Sequence, residues 1–156
     1  MLLLDKLDKL NFCKGLSMEY LRRLSAAGEV KAYQPGDRLF FEGQSSQEVY
    51  LLTDGEVVLE TSLPGQDAMR LQTVGPGELL GWSPVLGLGV MTATARAATP
   101  CHVLALNADR ILSLAEEDPK FVLEFMRRVA ITLARRLNAT RLQLVEAYRD
   151  GSQEVS

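Results

Sequence analysis

The sequence predicts an α+β fold in which an antiparallel β-roll, of the double-stranded β-helix or jelly-roll type, lies between N-terminal helices and a long C-terminal helix. Three observations support this prediction. Residues 1–28 carry apolar side chains at helical spacing. Residues 29–106 change to short apolar runs separated by turn signals, at the roughly 8–12-residue spacing of sandwiches, jelly rolls and small barrels. After Pro119 neither glycine nor proline occurs until Gly151, which favours one long helix.

The length of 156 residues predicts a single domain over 1–156, with the roll at 29–106 and C-terminal helices at 107–149. A net charge of -3 argues against a dedicated nucleic-acid binder, which usually carries a basic excess. Cys13 and Cys101 follow no metal or disulfide spacing, so we expect a reduced, cytoplasmic protein. Charged residues interrupt the apolar N-terminus, and no apolar run approaches about 18 residues, so the sequence predicts neither a signal peptide nor a membrane span.

The N-terminal helical region has recognisable start and stop signals. Ser17 is a favourable N-cap, and Glu19 in the first turn complements the helix dipole. Leu21 and Leu24 share one face with the other apolar residues of this segment. Gly28 is expected to end the helix as its C′ residue.

Short β-type runs dominate the middle of the chain. Strands are predicted at 30–32, 39–41, 49–52, 57–59, 69–74, 93–98 and 101–106. Asp54-Gly55 between two apolar runs is the strongest hairpin signal, since this dipeptide favours tight two-residue turns. We therefore expect the strands on either side of it to pair with each other.

The last helix is expected to be unusually long. Asp118 and Pro119 form a matched helix start, a cap followed by proline at the first helical position. About 30 residues follow, which at 1.5 Å per residue span about 45 Å. This length predicts a homodimer formed through residues 119–148. Residues 151–156 are expected to be a polar tail outside the helix.

Residues 77–97 combine a glycine-framed turn, a Gly-rich loop and a strand of alternating small and polar residues. Backbone amides and small side chains in such a loop can cradle an anion or a small polar ligand. The sequence therefore predicts that any ligand of this domain binds here.

The ordered motifs of the chain resemble the cyclic nucleotide-binding domain of the catabolite activator protein family. They are PGDRLFFEG at 35–43, VYLLTDGEVVL at 49–59, GELLG at 77–81 and ATARA at 93–97. The resemblance covers about residues 10–145 and implies a β-roll with a phosphate-binding cassette and a dimerising C-terminal helix. In that family DNA-binding helices follow the long helix. Here the chain ends soon after it, so we expect a stand-alone domain with no direct DNA binding.

The resemblance assigns six residues to the phosphate cassette. They are Gly81, Trp82, Ser83, Met91, Thr92 and Ala93. Family members carry a glutamate for the ribose and an arginine for the cyclic phosphate, and Trp82 and Met91 stand at those two positions. An indole can only donate a hydrogen bond, and Met91 offers no charge to a desolvated phosphate. Each charge-assisted contact is worth about 1.5–3 kcal/mol, so we expect lost or altered nucleotide specificity.

Two further residues are alternative nucleotide contacts. Glu78, which follows Gly77, becomes the ribose partner in a rival alignment that needs four inserted residues. Arg96 is a possible phosphate partner, although strand alternation places it on the face opposite Met91. Trp82 and Met91 themselves could line an apolar pocket or fill the former cavity as core.

Neither catalysis nor a metal site is predicted. The chain has one histidine, His102, which excludes a multi-histidine metal centre, and we expect no Ser-His-Asp or Cys-His catalytic set. Alternation along a strand sends His102 and its neighbour Cys101 to opposite faces. The arginines of the last helix are expected to form a solvated face with local glutamate partners. They are Arg127, Arg128, Arg135, Arg136 and Arg141.

Three non-enzymatic functions remain open at this point. The first is a regulatory or sensor domain that has lost or changed its nucleotide, needs no cofactor, and signals through a dimerising helix to an unidentified protein partner. The second is a genuine receptor for cAMP or cGMP. The third is a structural interaction module whose cavity is plugged by Trp82.

Overall fold

The computed structural model describes residues 3–155, and the side chains of residues 3–151. The strands are β1 (Gly28–Tyr33), β2 (Arg38–Phe40), β3 (Glu48–Asp54), β4 (Val57–Thr61), β5 (Met69–Val74), β6 (Leu79–Leu80), β7 (Thr94–Ala97) and β8 (Cys101–Asn107). The helices are α1 (Leu3–Asp8), a 3₁₀ turn (Asn11–Cys13), α2 (Met18–Ala26), α3 (Ser83–Leu86), α4 (Ala108–Ser113) and α5 (Pro119–Val155).

The eight strands form two four-stranded antiparallel sheets. One sheet has the order β1-β8-β3-β6 and the other β2-β7-β4-β5. This arrangement confirms the predicted α+β class with an antiparallel roll, and each of the seven predicted strands is present. The sequence did not predict β6 or α3, because two-residue and four-residue elements are too short to show a hydrophobic period.

The expectation of a hairpin at Asp54-Gly55 was wrong. A tight turn does occur there, with Gly55 at a φ of 91°. However, β3 pairs with β8 and β6, whereas β4 pairs with β5 and β7. The turn therefore carries the chain from one sheet to the other, because a jelly roll pairs strands that are distant in sequence.

The N-terminal helices close one face of the first sheet. The Ser17 hydroxyl accepts a hydrogen bond from the Tyr20 N–H at 3.2 Å, which confirms the predicted cap of α2. The role expected for Gly28 was wrong, since its backbone is not left-handed and it is the first residue of β1. A Cβ at Gly28 would lie 2.5 Å from the Ala105 carbonyl oxygen on β8. Glycine is needed there because the two strands approach closely.

The buried residues form two separate apolar clusters. One lies between the helices and the outer face of the first sheet, and includes Leu21, Leu51 and Phe125. The other fills the inside of the roll, and includes Phe40, Leu52 and Met91. The inside of the roll, where a ligand of this fold would be sought, is thus already occupied by apolar side chains.

Helix α5 is longer than the sequence predicted. Its first turn is capped by Asp118, whose carboxylate accepts from the Phe121 N–H at 3.2 Å, as expected. Phe125 packs edge-to-face on Phe12, with ring centroids 5.6 Å apart. The helix continues through Gly151 to Val155, so the predicted non-helical tail was wrong up to that residue, and Ser156 lies outside the described residues. A glycine costs a helix only about 1 kcal/mol and does not by itself end one.

Candidate ligand-binding site

The structure brings the six cassette residues together. Gly81, Trp82, Ser83, Met91, Thr92 and Ala93 border one cavity, with Phe40 and Leu59 on its other side. The cavity measures about 20 Å³. Such a space holds about one water molecule, whereas small-molecule sites usually span about 300–1,000 Å³.

Met91 and Phe40 fill the space inside the cassette. Met91 is 2% exposed and Phe40 is 3% exposed. A Cβ built on Gly81 would lie 3.1 Å from Phe40 Cε2 and 3.2 Å from Met91 Cε, so both side chains already press against the cassette glycine. Phe40 also stacks on Tyr50, at 5.6 Å between ring centroids. Met91, the residue predicted to stand at the phosphate-pairing position, is therefore part of the core of the roll.

The backbone of Met91 is also engaged. Its N–H donates to the Gln44 carbonyl, and its carbonyl accepts from the Gly43 N–H, both at 2.8 Å. Nearby, the Thr94 hydroxyl accepts from the Glu42 N–H at 2.9 Å. A phosphate at this position would have to displace the Met91 hydrogen bonds as well as the side chains.

Arg96 lies on the outer side of β7 and is paired within the protein. Its Nε lies 3.2 Å from Glu60 Oε1 on the neighbouring strand β4. Its Nη2 donates to the second Glu60 oxygen at 3.4 Å. Its neighbours Ala95 and Ala97 point into the roll with Met91. The geometry thus gives Arg96 an acidic partner on the face away from the cassette cavity.

Glu78 lies away from the cassette cavity. Its carboxylate accepts from the Gly75 N–H at 2.8 Å, which closes the turn before β6. It lines a different cleft, between this turn and α5. The structure therefore separates Glu78 from Met91 and Thr92, which border the cassette cavity.

Trp82 contacts α5 as well as the cassette cavity. It is partly buried and packs against the helical cluster. The guanidinium carbon of Arg136 lies 4.9 Å from the centroid of its indole ring, a cation–π distance. Trp82 borders the cassette cavity without being the side chain that fills it.

Sequence reasoning placed Arg136 on the wrong side of α5. It was expected on a solvated face, where Arg127 does lie beside Glu124, but it is only 9% exposed. Arg128 also departs from that expectation, since its side chain is 13% exposed and donates to the Phe12 carbonyl.

The Nη2 of Arg136 donates to the Leu79 carbonyl. Burial lowers the pKa of its guanidinium to about 10, although the negative charge of Glu78 acts in the opposite direction. Its burial could have been predicted from the helical spacing, because Arg136 lies on the same face of α5 as the buried Phe125.

Cys101 is buried and His102 is exposed, so the two do lie on opposite faces of β8. Within residues 3–151, no group of three or more His, Cys, Asp or Glu side chains is placed to hold a metal ion. No helix among the described residues is long and apolar enough to cross a bilayer.

The fold defines a class of protein. The profile of the cyclic nucleotide-binding domain family matches residues 30–118, more than half of the chain. The chain therefore belongs to the cyclic nucleotide-binding domain family, whose members related to the catabolite activator protein are regulators.

Particular relatives show how the domain is used elsewhere. The cyclic AMP receptor protein of Thermus thermophilus is 33% identical over 130 residues, which are 83% of this chain and 55% of that protein. The potassium/sodium hyperpolarization-activated cyclic nucleotide-gated channel 2 of Homo sapiens is 32% identical over 106 residues, 68% of this chain and 11% of the channel. The chain thus spans about half the length of the Thermus relative.

A solved structure agrees with the fold. The cyclic nucleotide-binding domain from Methylobacillus flagellatus KT superimposes with a TM-score of 0.81 over 92% of this chain and 81% of that one, at 21% identity. At this identity the likeness establishes the shared fold alone.

Proposed function

We propose that this protein is a regulatory domain whose cassette no longer binds a cyclic nucleotide and whose output is carried by α5. The observation that carries this proposal is the packing of Met91 and Phe40 inside the cassette, which leaves about 20 Å³. A cyclic nucleotide would need both side chains to leave the core of the roll. Moving them would expose apolar surface, at about 1.5–3 kcal/mol for each large side chain.

The electrostatics of the cassette support the same proposal. A phosphate buried at this position needs an opposite charge or several donors. Met91 supplies no charge, and its N–H is already bonded to Gln44. Arg96 is held by Glu60 on the other side of the strand. A nucleotide that entered would therefore lose its hydration without gaining an equivalent set of contacts.

The exposed face of α5 supports a homodimer through residues 119–148. Leu137 and Leu144 are 71% and 69% exposed, and they lie seven residues apart. Ala130 and Ala134 continue the same exposed stripe towards the start of the helix. Apolar residues at this spacing form the seam of two-helix coiled coils. The proposed dimer buries this stripe and joins two rolls through their α5 helices.

Calorimetric titration with cAMP and with cGMP tests the loss of nucleotide binding. We expect no saturable heat below about 1 mM for the wild-type protein. The combined variant Trp82→Glu, Met91→Arg, Phe40→Ala returns the missing groups and opens the space, so it is expected to gain affinity. Micromolar binding by the wild-type protein would overturn the proposal and favour a genuine nucleotide receptor.

A further inference from the structure

A second cleft, separate from the cassette, lies between α5 and the turn at residues 75–78. It has a volume of about 540 Å³, a size typical of small-molecule sites. Its polar lining includes Asn11, Gln72, Glu78, Arg135, Arg136 and Gln143. The cleft therefore offers the room and the polar groups that the cassette lacks.

Arg136 at the base of this cleft has an unused donor. More than nine-tenths of the residue is buried, and its Nη1 has no hydrogen-bond partner among the described residues. Its Nη2 is used by the Leu79 carbonyl. Glu78 also lines the cleft, but its carboxylate accepts from the Gly75 N–H, and no ion pair joins it to Arg136. A buried guanidinium with a free donor favours an anionic partner.

Arg135 adds a second cation at the mouth of the cleft. It is exposed, and its side chain makes no ion pair or hydrogen bond among the side chains that the structure describes. A smaller groove of about 240 Å³ shares Arg135 with the cleft and is lined by Lys14, Arg127 and Arg128. Arg127 and Arg128 share the single carboxylate of Glu124, so this side of α5 keeps an excess of positive charge although the whole chain carries a net charge of -3.

We propose that this cleft binds a small hydroxylated organic anion bearing a phosphate or carboxylate group. Arg135 and Arg136 hold the anionic group by charge-assisted hydrogen bonds. Glu78 faces the same space and accepts hydrogen bonds from ligand hydroxyls. This site goes beyond the proposed function, because none of its lining residues belongs to the cassette.

Such a ligand would act on α5 directly. The cleft joins the roll, through Gln72 and Glu78, to one face of α5, through Arg135 and Arg136. Leu137 and Leu144, on the proposed dimer seam, are exposed and are not part of the lining, so the seam and the cleft use different residues of α5. Binding would favour the arrangement in which α5 is docked on the roll.

The only tryptophan of the chain reports on this site. Trp82 lies under the Arg136 guanidinium, so an anion bound by Arg136 is expected to change its fluorescence. We would titrate the full chain with inorganic phosphate, ribose 5-phosphate and acetate, at ionic strength held constant with sodium chloride. We expect a saturable change in fluorescence with either phosphate or acetate, and the anion that gives it identifies the anionic group that the cleft prefers. We also expect ribose 5-phosphate to bind more tightly than phosphate.

Matched variants separate specific binding from general charge effects. Arg135→Gln is expected to weaken ribose 5-phosphate binding at least about tenfold, whereas Arg141→Gln, on the same helix but outside the cleft, is expected to leave it unchanged. Glu78→Gln is expected to reduce the preference for ribose 5-phosphate over phosphate. Arg135 is exposed, so its variant remains informative even if substitution of Arg136 prevents folding.

Amide chemical shifts locate the bound anion. Shifts at Asn11, Gln72 and Gly77 with ribose 5-phosphate support the proposal. The proposal is overturned if no probe saturates, if sodium chloride alone reproduces the change, or if the Arg141 variant loses as much affinity as the Arg135 variant. Shifts at Thr92 and Ala93 on adding cAMP would instead contradict the loss of nucleotide binding, and would leave the cleft proposal standing.

Discussion

The guanidinium of Arg136 lies over the indole of Trp82, with its Cζ 4.9 Å from the ring centroid. This contact joins the long helix α5 to the first residue after the cassette glycine. The same guanidinium donates to the Leu79 carbonyl in β6. The buried Arg136 side chain therefore connects α5 both to β6 and to Trp82, and these contacts hold α5 against the roll.

The Trp82–Arg136 contact should appear as a coupling energy in unfolding experiments. We expect Trp82→Leu and Arg136→Met to be non-additive by about 1–2 kcal/mol, as cation–π contacts at partly desolvated sites are. Urea unfolding of the wild type, both single variants and the double variant measures this coupling. Trp82→Leu combined with Arg135→Met, which has no such contact, is the control and should be additive within about 0.5 kcal/mol. If the effects of Trp82→Leu and Arg136→Met on the free energy of unfolding are also additive, that result contradicts the contact.

The turn between the two sheets should be highly sensitive to substitution at Gly55. An alanine Cβ there would lie 2.4 Å from the Pro100 carbonyl oxygen and 2.6 Å from Cys101 Cβ. Gly36 has the same φ of 91°, but its Cβ would meet nothing within 4 Å. We expect Gly36→Ala to cost about 1 kcal/mol from backbone strain, and Gly55→Ala about 1–3 kcal/mol more from the clash. Equal costs in thermal or urea unfolding would show that the Gly55 backbone is not packed against β8 as described.

Stability should fall in mildly alkaline solution because of Cys13. Burial raises the pKa of its thiol from 9.0 to about 12. Between these values the unfolded chain releases the proton while the folded chain keeps it, so unfolding is favoured as pH rises. Cys13 alone is expected to remove about 1 kcal/mol between pH 9 and pH 10. Tyr50, whose pKa burial also raises to about 12, adds its share above its ordinary value of 10.0.

Urea unfolding at pH 8, 9 and 10 measures this effect, and Cys13→Ala is its control. The variant is less stable overall, but its loss between pH 9 and pH 10 should be clearly smaller than that of the wild type. A wild-type stability that stays level or rises over this interval would mean that the thiol is not desolvated in the folded chain.

The proposed dimer should depend on the exposed stripe of α5. The double variant Leu137→Glu, Leu144→Glu is expected to be a monomer, because dimerisation would bury the new charges in the seam. Leu142 is also exposed, but it lies about a quarter of a turn or more from the stripe at 100° per residue, so Leu142→Glu should leave the dimer intact. Sedimentation velocity distinguishes the species. A monomeric wild type at high concentration would rule the dimer out.

Local patterns in the sequence were sufficient for most of the elements. The Ser17 and Asp118 caps act within one helical turn, and alternation placed Cys101 and His102 on opposite faces, because these features depend on nearby residues. The pairing of strands around Gly55 was not accessible in this way. Hairpin signals describe a turn, whereas the partner of a strand in a jelly roll comes from a distant part of the chain.

The candidate site shows the same division. The motifs around Gly81 contributed to the assignment of the family. The cassette register stays a prediction, and in that register the residue types at Trp82 and Met91 predict that the usual charges are missing. The residue types could not show which side chain occupies the space. Phe40 is 41 positions away from Gly81 in the numbering, and only the closure of the two sheets brings it against Met91 and the cassette glycine.

The sequence by itself thus determined the α+β roll and the long α5, because both are written in local pattern. The loss of the phosphate-pairing charge at Met91 stays a prediction from residue type. Tertiary structure alone decided that Met91 and Phe40 fill the cassette, that Arg136 is buried over Trp82, and that a polar cleft opens beside α5. These features depend on how distant segments pack, since burial turns an arginine on a nominally solvated helix face into a desolvated cation with an unused donor.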